Sequence, residues 1–240
     1  MNMQTPIYLA LDFPTGNEAM HFLNQNEMDE IPVKVGMELF YREGPQIIYQ
    51  LKEKKHPIFL DLKLHDIPNT VNRAMRNLAA LDVDIVNVHA LGGAKMIEAA
   101  KEGLHSGAAD AVPKLISVTM LTSMDEHTVQ TDLQQPMELA AYARHLAELS
   151  KCAGADGVVC SPHEAASIKA ACGESFLTVT PGIRLAGSAP NDQHRIATPA
   201  AAKKMGADYL VIGRSVTAAD NPKQAYNQAV QEWKNDDNNN

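Results

Sequence analysis

The sequence predicts a (β/α)8 barrel. Short apolar runs rich in β-branched residues recur eight times, helical patterns lie between them and after the last, and the runs end on charged or polar residues. Strands alternating with helices imply parallel strands with crossover helices. Eight such units in 240 residues suit a closed barrel better than a doubly wound open sheet, the alternative on this pattern.

In order, the first run begins at Ile7 and ends on Asp12, and the second begins near Pro32 and carries Lys34 in Val33-Lys34-Val35-Gly36. The third, Pro57-Ile58-Phe59-Leu60, runs into Asp61-Leu62-Lys63-Leu64-His65-Asp66-Ile67-Pro68. The fourth starts near Ile85 and ends at His89. The fifth starts near Leu115 and leads to Thr119 and Thr122, and the sixth starts near Gly157 and ends at Ser161. The seventh starts near Phe176 and reaches Thr180-Pro181-Gly182-Ile183-Arg184; the eighth starts near Tyr209 and reaches Gly213-Arg214-Ser215.

Helix starts are marked by Ser161-Pro162-His163-Glu164, a capping box with proline at the first helical position, and by Thr198-Pro199 and Asn221-Pro222. A helix from about Pro136 to Cys152 carries Leu139, Ala143, Leu146, Ala147 and Leu149 on one face, suited to packing on a barrel. Two long loops, Leu121 to Gln135 and Leu185 to Thr198, are placed to close over a ligand. One catalytic domain is expected over residues 1–234, followed by a polar tail, residues 235–240, with nothing to bury and expected to be disordered.

The composition, 45% hydrophobic, supports a large core, and a net charge of −8 argues against a nucleic-acid partner, which requires clustered Lys and Arg. Cys152, Cys160 and Cys172 are odd in number and lack C-x-x-C spacing, so buried thiols are expected rather than disulfides or a zinc site. Asp12 and Pro14 interrupt the first apolar run, against a secretory signal, and no stretch approaches the ~20 apolar residues of a membrane span. A soluble cytoplasmic protein is expected.

The charges carry the function. In a strand, Asp61 and Lys63 share one face while Leu60, Leu62 and Leu64 take the other. An isolated D-x-K is most simply a half-buried strand with a polar face. Here Asp12, Lys34, Asp61 and Lys63 all fall at strand ends, where barrels place their active sites, and buried unpaired charges are costly, so the four are expected to meet as an alternating network. The segments after strands seven and eight occupy the usual phosphate position of such barrels, with a short helix N-terminus and the guanidinium of Arg214 as anion holders. His65 is expected to turn away from the Asp61 and Lys63 face and to be structural; His89 is expected to pack beside the network, and His163 to lie at the surface.

Taken together, Ala10-Leu11-Asp12, Lys34-Val35-Gly36, the D-x-K-x-x-D-I-P element with Asn69-Thr70, Thr180 to Arg184 and Gly213-Arg214-Ser215 closely resemble the bacterial orotidine 5'-phosphate decarboxylases, over about Ile7 to Trp233. The resemblance implies a cofactor-independent, metal-free carboxy-lyase that makes uridine 5'-phosphate in the last step of de novo pyrimidine synthesis. It implies a homodimer with shared sites: Lys34, Asp61 and Lys63 from one subunit, with Lys63 as proton donor, and Asp66 from the other. It further implies contacts from Asp12 to ribose, Thr122 to the pyrimidine, Thr70 across the dimer interface, and Arg184, Gln193, Gly213 and Arg214 to phosphate. By the same resemblance the binding site takes in Pro181 and the whole run Asp61, Leu62, Lys63, Leu64, His65, Asp66, Ile67, Pro68, Asn69 and Thr70.

Two rival readings stand beside it. Barrels resembling 3-keto-gulonate 6-phosphate decarboxylase and hexulose phosphate synthase share D-x-K-x-x-D but use magnesium and place a glutamate where this chain has Lys34, whose ammonium cannot ligate a hard cation. A noncatalytic phosphate-binding barrel is the other, though binding a nucleotide requires no buried charge network.

Overall fold

The computed structural model describes residues 5–185 and 197–234. Its eight strands are β1 (Ile7–Ala10), β2 (Val33–Gly36), β3 (Ile58–Leu64), β4 (Ile85–His89), β5 (Lys114–Val118), β6 (Gly157–Val159), β7 (Leu177–Thr180) and β8 (Tyr209–Ile212). Each pairs in parallel with the next, and β8 returns to β1 with Ile7 opposite Leu210, which closes the barrel and excludes the open sheet.

The helices are α1 (Gly16–Gln25), α2 (Met37–Glu43), α3 (Gln46–Glu53), α4 (Pro68–Ala79), α5 (Ala94–Gly107), α6 (Leu139–Cys152), α7 (Pro162–Cys172), α8 (Pro199–Lys204), α9 (Arg214–Thr217) and α10 (Pro222–Lys234). None among the described residues is long and apolar enough to cross a membrane. Alternate strand residues divide two cores. Ile58, Leu60 and Leu62 of β3 face the helices, whereas Phe59 packs inside the barrel with Tyr8, Ile85, Ile116, Val179 and Val211. Above that plug the strands end in charge.

The start of α6 differs from the expected Pro136. The N–H of Leu139 donates to the Glu126 carboxylate at 3.1 Å, so a side chain from the preceding loop sets the helix boundary, and that loop coils into a π-helical turn over Thr128–Asp132. Cys160 and Cys172 are buried as expected, but Cys152, at the last turn of α6, is exposed. Most of the loop Leu185 to Thr198, with Gln193 in it, and the tail 235–240 lie outside the described residues.

Helices α4 and α5 pack backbone to backbone. A Cβ on Gly103 would lie 2.2 Å from the carbonyl oxygen of Asn72, and one on Gly107 would lie 2.1 Å from that of Arg76, so only glycine permits the approach. This contact fixes α4, which begins directly after the Asp61 to Ile67 segment.

The opposite end of the barrel carries a repeat not anticipated from the sequence. Asp84, Asp156 and Asp208 directly precede β4, β6 and β8, and each accepts the backbone N–H of a residue on the preceding strand, Ile58, Leu115 and Thr178, at 2.7 Å. Each also donates its own N–H to that residue's carbonyl, closing a two-bond ring. Lys101 and Lys169 bind Asp156 and Asp208 at 2.6 Å. Because Lys169 is buried, Asp208→Ala leaves its ammonium without a carboxylate, held by the Glu174 carbonyl at 2.7 Å, and leaves the Thr178 N–H without its acceptor. The expected loss is about 3 kcal/mol, a fall in Tm of roughly 10 °C by thermal melting.

Candidate active site

Strands β1, β2 and β3 deliver four charges to one end of the barrel. The Lys34 ammonium lies 3.2 Å from Asp12 Oδ1 and 3.4 Å from Asp61 Oδ2, and Lys63 Nζ lies 2.6 Å from Asp61 Oδ1. The order is acid, base, acid, base. Gly36 gives Lys34 room to fold in, since a Cβ there would stand 3.1 Å from its Nζ.

Charge pairing overcomes burial at the centre of this chain. Burial disfavours an ionised Asp61, but the charges of Lys34 and Lys63, with hydrogen bonds from Lys63 and Asn87, hold its carboxyl below the usual carboxylate range. Burial likewise opposes the Lys34 ammonium, and Asp61 and Asp12 outweigh it, holding the group above the ordinary lysine range. Asp61 therefore contributes stability that is present above the ordinary carboxylate pKa and lost as pH falls through its lowered value. The contribution of Lys34 is present below the ordinary lysine pKa and lost as pH rises through its raised value. Both groups are charged at neutrality.

The strand carrying this array is irregular at the site. Leu60 pairs with Val86 and Leu64 with Val88, so four steps along β3 match two along β4. Lys63 adopts φ +50°, the left-handed region that non-glycine residues seldom enter. Its N–H leaves the strand ladder and donates to Asn87 Oδ1 at 2.7 Å, while Asn87 Nδ2 donates to Asp61 Oδ1 at 2.6 Å. Asn87 was absent from the residues expected here. The signal was available: one amide at an inward position of the apolar strand Ile85-Val86-Asn87-Val88.

Two cavities open onto the charges. The first, about 300 Å³, is lined by Lys34, Asp61 and Lys63, by Thr122 and Ser123, and by apolar walls that include Phe59, Val118 and Val159. The second, about 190 Å³, is lined by Asp12, Lys34, Gly182, Arg184, Gly213 and Arg214. Pro181 borders both. The first cavity sets apolar walls around Lys34, Asp61 and Lys63; its neighbour carries two guanidinium side chains.

Other expected residues lie elsewhere. Leu62 is buried and Leu64 partly buried among apolar side chains between barrel and helices, so neither side chain enters the cavities. His65, Asp66, Ile67, Pro68, Asn69 and Thr70 form an exposed run that lines neither cavity of its own subunit, and Asp66 accepts the N–H of Ile67 at 2.6 Å. His65 has the same parity as Asp61 and Lys63, so strand alternation is not what turns it aside; β3 ends at Leu64, and the His65 ring stacks on His89 with centroids 5.7 Å apart. His89 is held below the ordinary histidine range by burial, then by His65 and Lys63. Thr119 and Thr180 bond backbone carbonyls, Ser161 is buried at the start of α7, and His163 is exposed.

A barrel with this array matches the model of the Orotidine 5'-phosphate decarboxylase / HUMPS family over residues 5–229. The chain belongs to this family. Among curated relatives, the orotidine 5'-phosphate decarboxylase of Geobacillus sp. (strain WCH70) is 53% identical over 237 residues, covering 98% of this chain and 99% of the relative. That of Bacillus cytotoxicus is 52% identical over 233 residues, 96% and 98% of the two chains. The solved structure of orotidine 5'-phosphate decarboxylase from Lactobacillus acidophilus superposes with a TM-score of 0.86 at 40% identity, covering 96% of this chain and 99% of that one. The enzyme from Pyrococcus horikoshii OT3 gives 0.74 at 26% identity, over 95% and 99%. Family membership thus extends across the barrel and includes every strand that carries a charge of the array.

Proposed function

We propose that this chain decarboxylates orotidine 5'-phosphate to uridine 5'-phosphate, as a cytoplasmic homodimer without metal or organic cofactor. The observation that carries the reading is the alternating array of Asp12, Lys34, Asp61 and Lys63 between an apolar-walled cavity and one lined by Arg184 and Arg214. The pyrimidine takes the first cavity, with Thr122 beside it, and the phosphate takes the second, with ribose over Asp12.

Loss of carbon dioxide from a ring carbon without an adjacent electron sink leaves a carbanion, and the electron pair must be stabilised where it forms. The Lys63 ammonium offers a fixed positive charge and then a proton, while Asp61 crowds the departing carboxylate. Unit charges ~4 Å apart interact by about 4 kcal/mol at an effective dielectric near 20, so each contact is large enough to alter the rate. Lys34 fills the space between Asp12 and Asp61 with an ammonium, which opposes a magnesium ion at that place and with it the aldolase-like members of the family. Asp66 lines neither cavity of its own subunit, in keeping with a role in the partner's site.

Incubation with orotidine 5'-phosphate and measurement of the lost pyrimidine absorbance tests the reading. Turnover surviving exhaustive chelation is expected; activity that vanishes with chelator and returns with magnesium overturns the proposed chemistry, and nucleotide binding without turnover favours a noncatalytic barrel.

Arg214 separates binding from chemistry. Removing a charge-assisted phosphate contact costs about 3 kcal/mol, so Arg214→Ala is expected to lower kcat/KM for orotidine 5'-phosphate by about 100-fold. The phosphate-free nucleoside is expected to lose little. Equal losses for both substrates place Arg214 outside the phosphate site.

A further inference from the structure

We propose that Asn87 is a positioning residue that holds Asp61 and the backbone of Lys63 in their reactive arrangement; this rests on the decarboxylase reading above. One buried amide makes both contacts: its Nδ2 donates to Asp61 Oδ1, and its Oδ1 accepts from Lys63 N–H. The amide has only one acceptable orientation. Rotated by half a turn, it would set its carbonyl against the Asp61 carboxylate and its NH2 against a backbone N–H, two repulsive contacts in place of two bonds.

The need for this amide arises from the local backbone. Where β3 gains residues relative to β4, the Lys63 N–H loses its place in the ladder, and φ +50° is a conformation that persists only when its surroundings enforce it. The Asn87 side chain supplies the missing acceptor from β4. Its other end acts on Asp61 Oδ1, the oxygen that also binds Lys63 Nζ at 2.6 Å. Asp61 Oδ2 faces Lys34, so both carboxylate oxygens are engaged and the carboxylate plane is fixed. Asn87 lines neither cavity and touches the reaction only through these two residues.

Two substitutions test this. Asn87→Leu keeps the branched shape, with somewhat more bulk, and removes both bonds; displacement of the array by about 1 Å is expected to lower kcat about 100-fold in single turnover. The Kd for uridine 5'-phosphate is expected to change by less than about threefold. Asn87→Asp keeps size and shape and gives a different signature. With one proton shared between it and Asp61, the new carboxyl donates to Asp61 and accepts from Lys63 N–H, as the amide does; without that proton, two carboxylates face each other. The ratio of variant to wild-type kcat is therefore expected to fall at least about tenfold from about pH 5 to about pH 8. A purely structural role moves Tm and leaves that ratio flat.

A flat ratio for Asn87→Asp, or an Asn87→Leu kcat within about threefold of wild type, overturns the inference. If Asn87→Leu does not fold, the pH ratio of the near-isosteric Asn87→Asp decides alone. Wild-type protein inert toward orotidine 5'-phosphate overturns the proposed function and this inference with it, whereas active wild type with a flat ratio overturns the inference alone.

Discussion

Lys63→Ala is expected to remove at least about 10⁴-fold of turnover while uridine 5'-phosphate still binds, because in the proposed mechanism the ammonium acts on a charge that exists only as carbon dioxide departs. In the proposed pose the product is held through the second cavity and the apolar walls of the first, contacts that do not require Lys63 Nζ. The fold is expected to tolerate the change: Asp61 keeps Lys34 and Asn87, and the Lys63 side chain is already a quarter exposed. Single-turnover decay of orotidine 5'-phosphate and titration with uridine 5'-phosphate measure the two halves. A variant retaining a tenth of wild-type turnover removes Lys63 from the proton-donor role.

The second large effect is a recovery. If Lys63 acts from one subunit and Asp66 from its partner, Lys63→Ala and Asp66→Asn are each inactive alone but complement each other in a mixed dimer. One of its sites collects both defects, and the other receives Lys63 and Asp66 intact. Random reassortment of equal amounts makes roughly half of the dimers mixed, so about one quarter of wild-type sites reappear under twofold symmetry. The two variants, carrying different tags, are unfolded and refolded together to exchange subunits. Mixed dimers that form without regaining activity remove Asp66 from the shared site.

The barrel was legible because its strands are short and apolar, and because parallel strands need crossovers that announce themselves as helices. The charges were legible for a different reason. Lys34 within Val33-Lys34-Val35 and Asp61 after Ile58-Phe59-Leu60 stand in runs that would otherwise be wholly apolar, so burial forces them to find one another. The left-handed Lys63 was hidden, since nothing in Leu62-Lys63-Leu64 carries the glycine or asparagine that usually marks positive φ. Asn87 stood out as a lone amide in an apolar strand, but its task was hidden, because that task arises only once β3 is irregular. The exposed run from His65 to Thr70 reads as a loop and helix start by composition; its assignment to a shared site came from family resemblance. The three aspartates before β4, β6 and β8 were readable as a recurring Asp ahead of an apolar strand, but their purpose depends on which strand lies alongside.

Those aspartate rings also mark where they are missing. The residue directly before β2 is Pro32, which has neither an N–H nor a carboxylate to offer; it accepts the Leu9 N–H at 2.9 Å and nothing more joins the strands there in the manner of Asp84, Asp156 or Asp208. Strands β1 and β2 hold two residue pairs in register, as do β7 and β8, but only the latter have a ring beneath them. Local opening is thus expected to begin at the β1–β2 seam, with the Leu9 and Leu11 amides exchanging deuterium ahead of the Thr178 amide. Asp12 lies two residues beyond β1, and the Lys34 side chain reaches it from β2. In the proposed pose a nucleotide bridges those charges and is expected to close the seam from above, so that slowed exchange at Leu9 and Leu11 reports occupancy of a cavity neither residue lines.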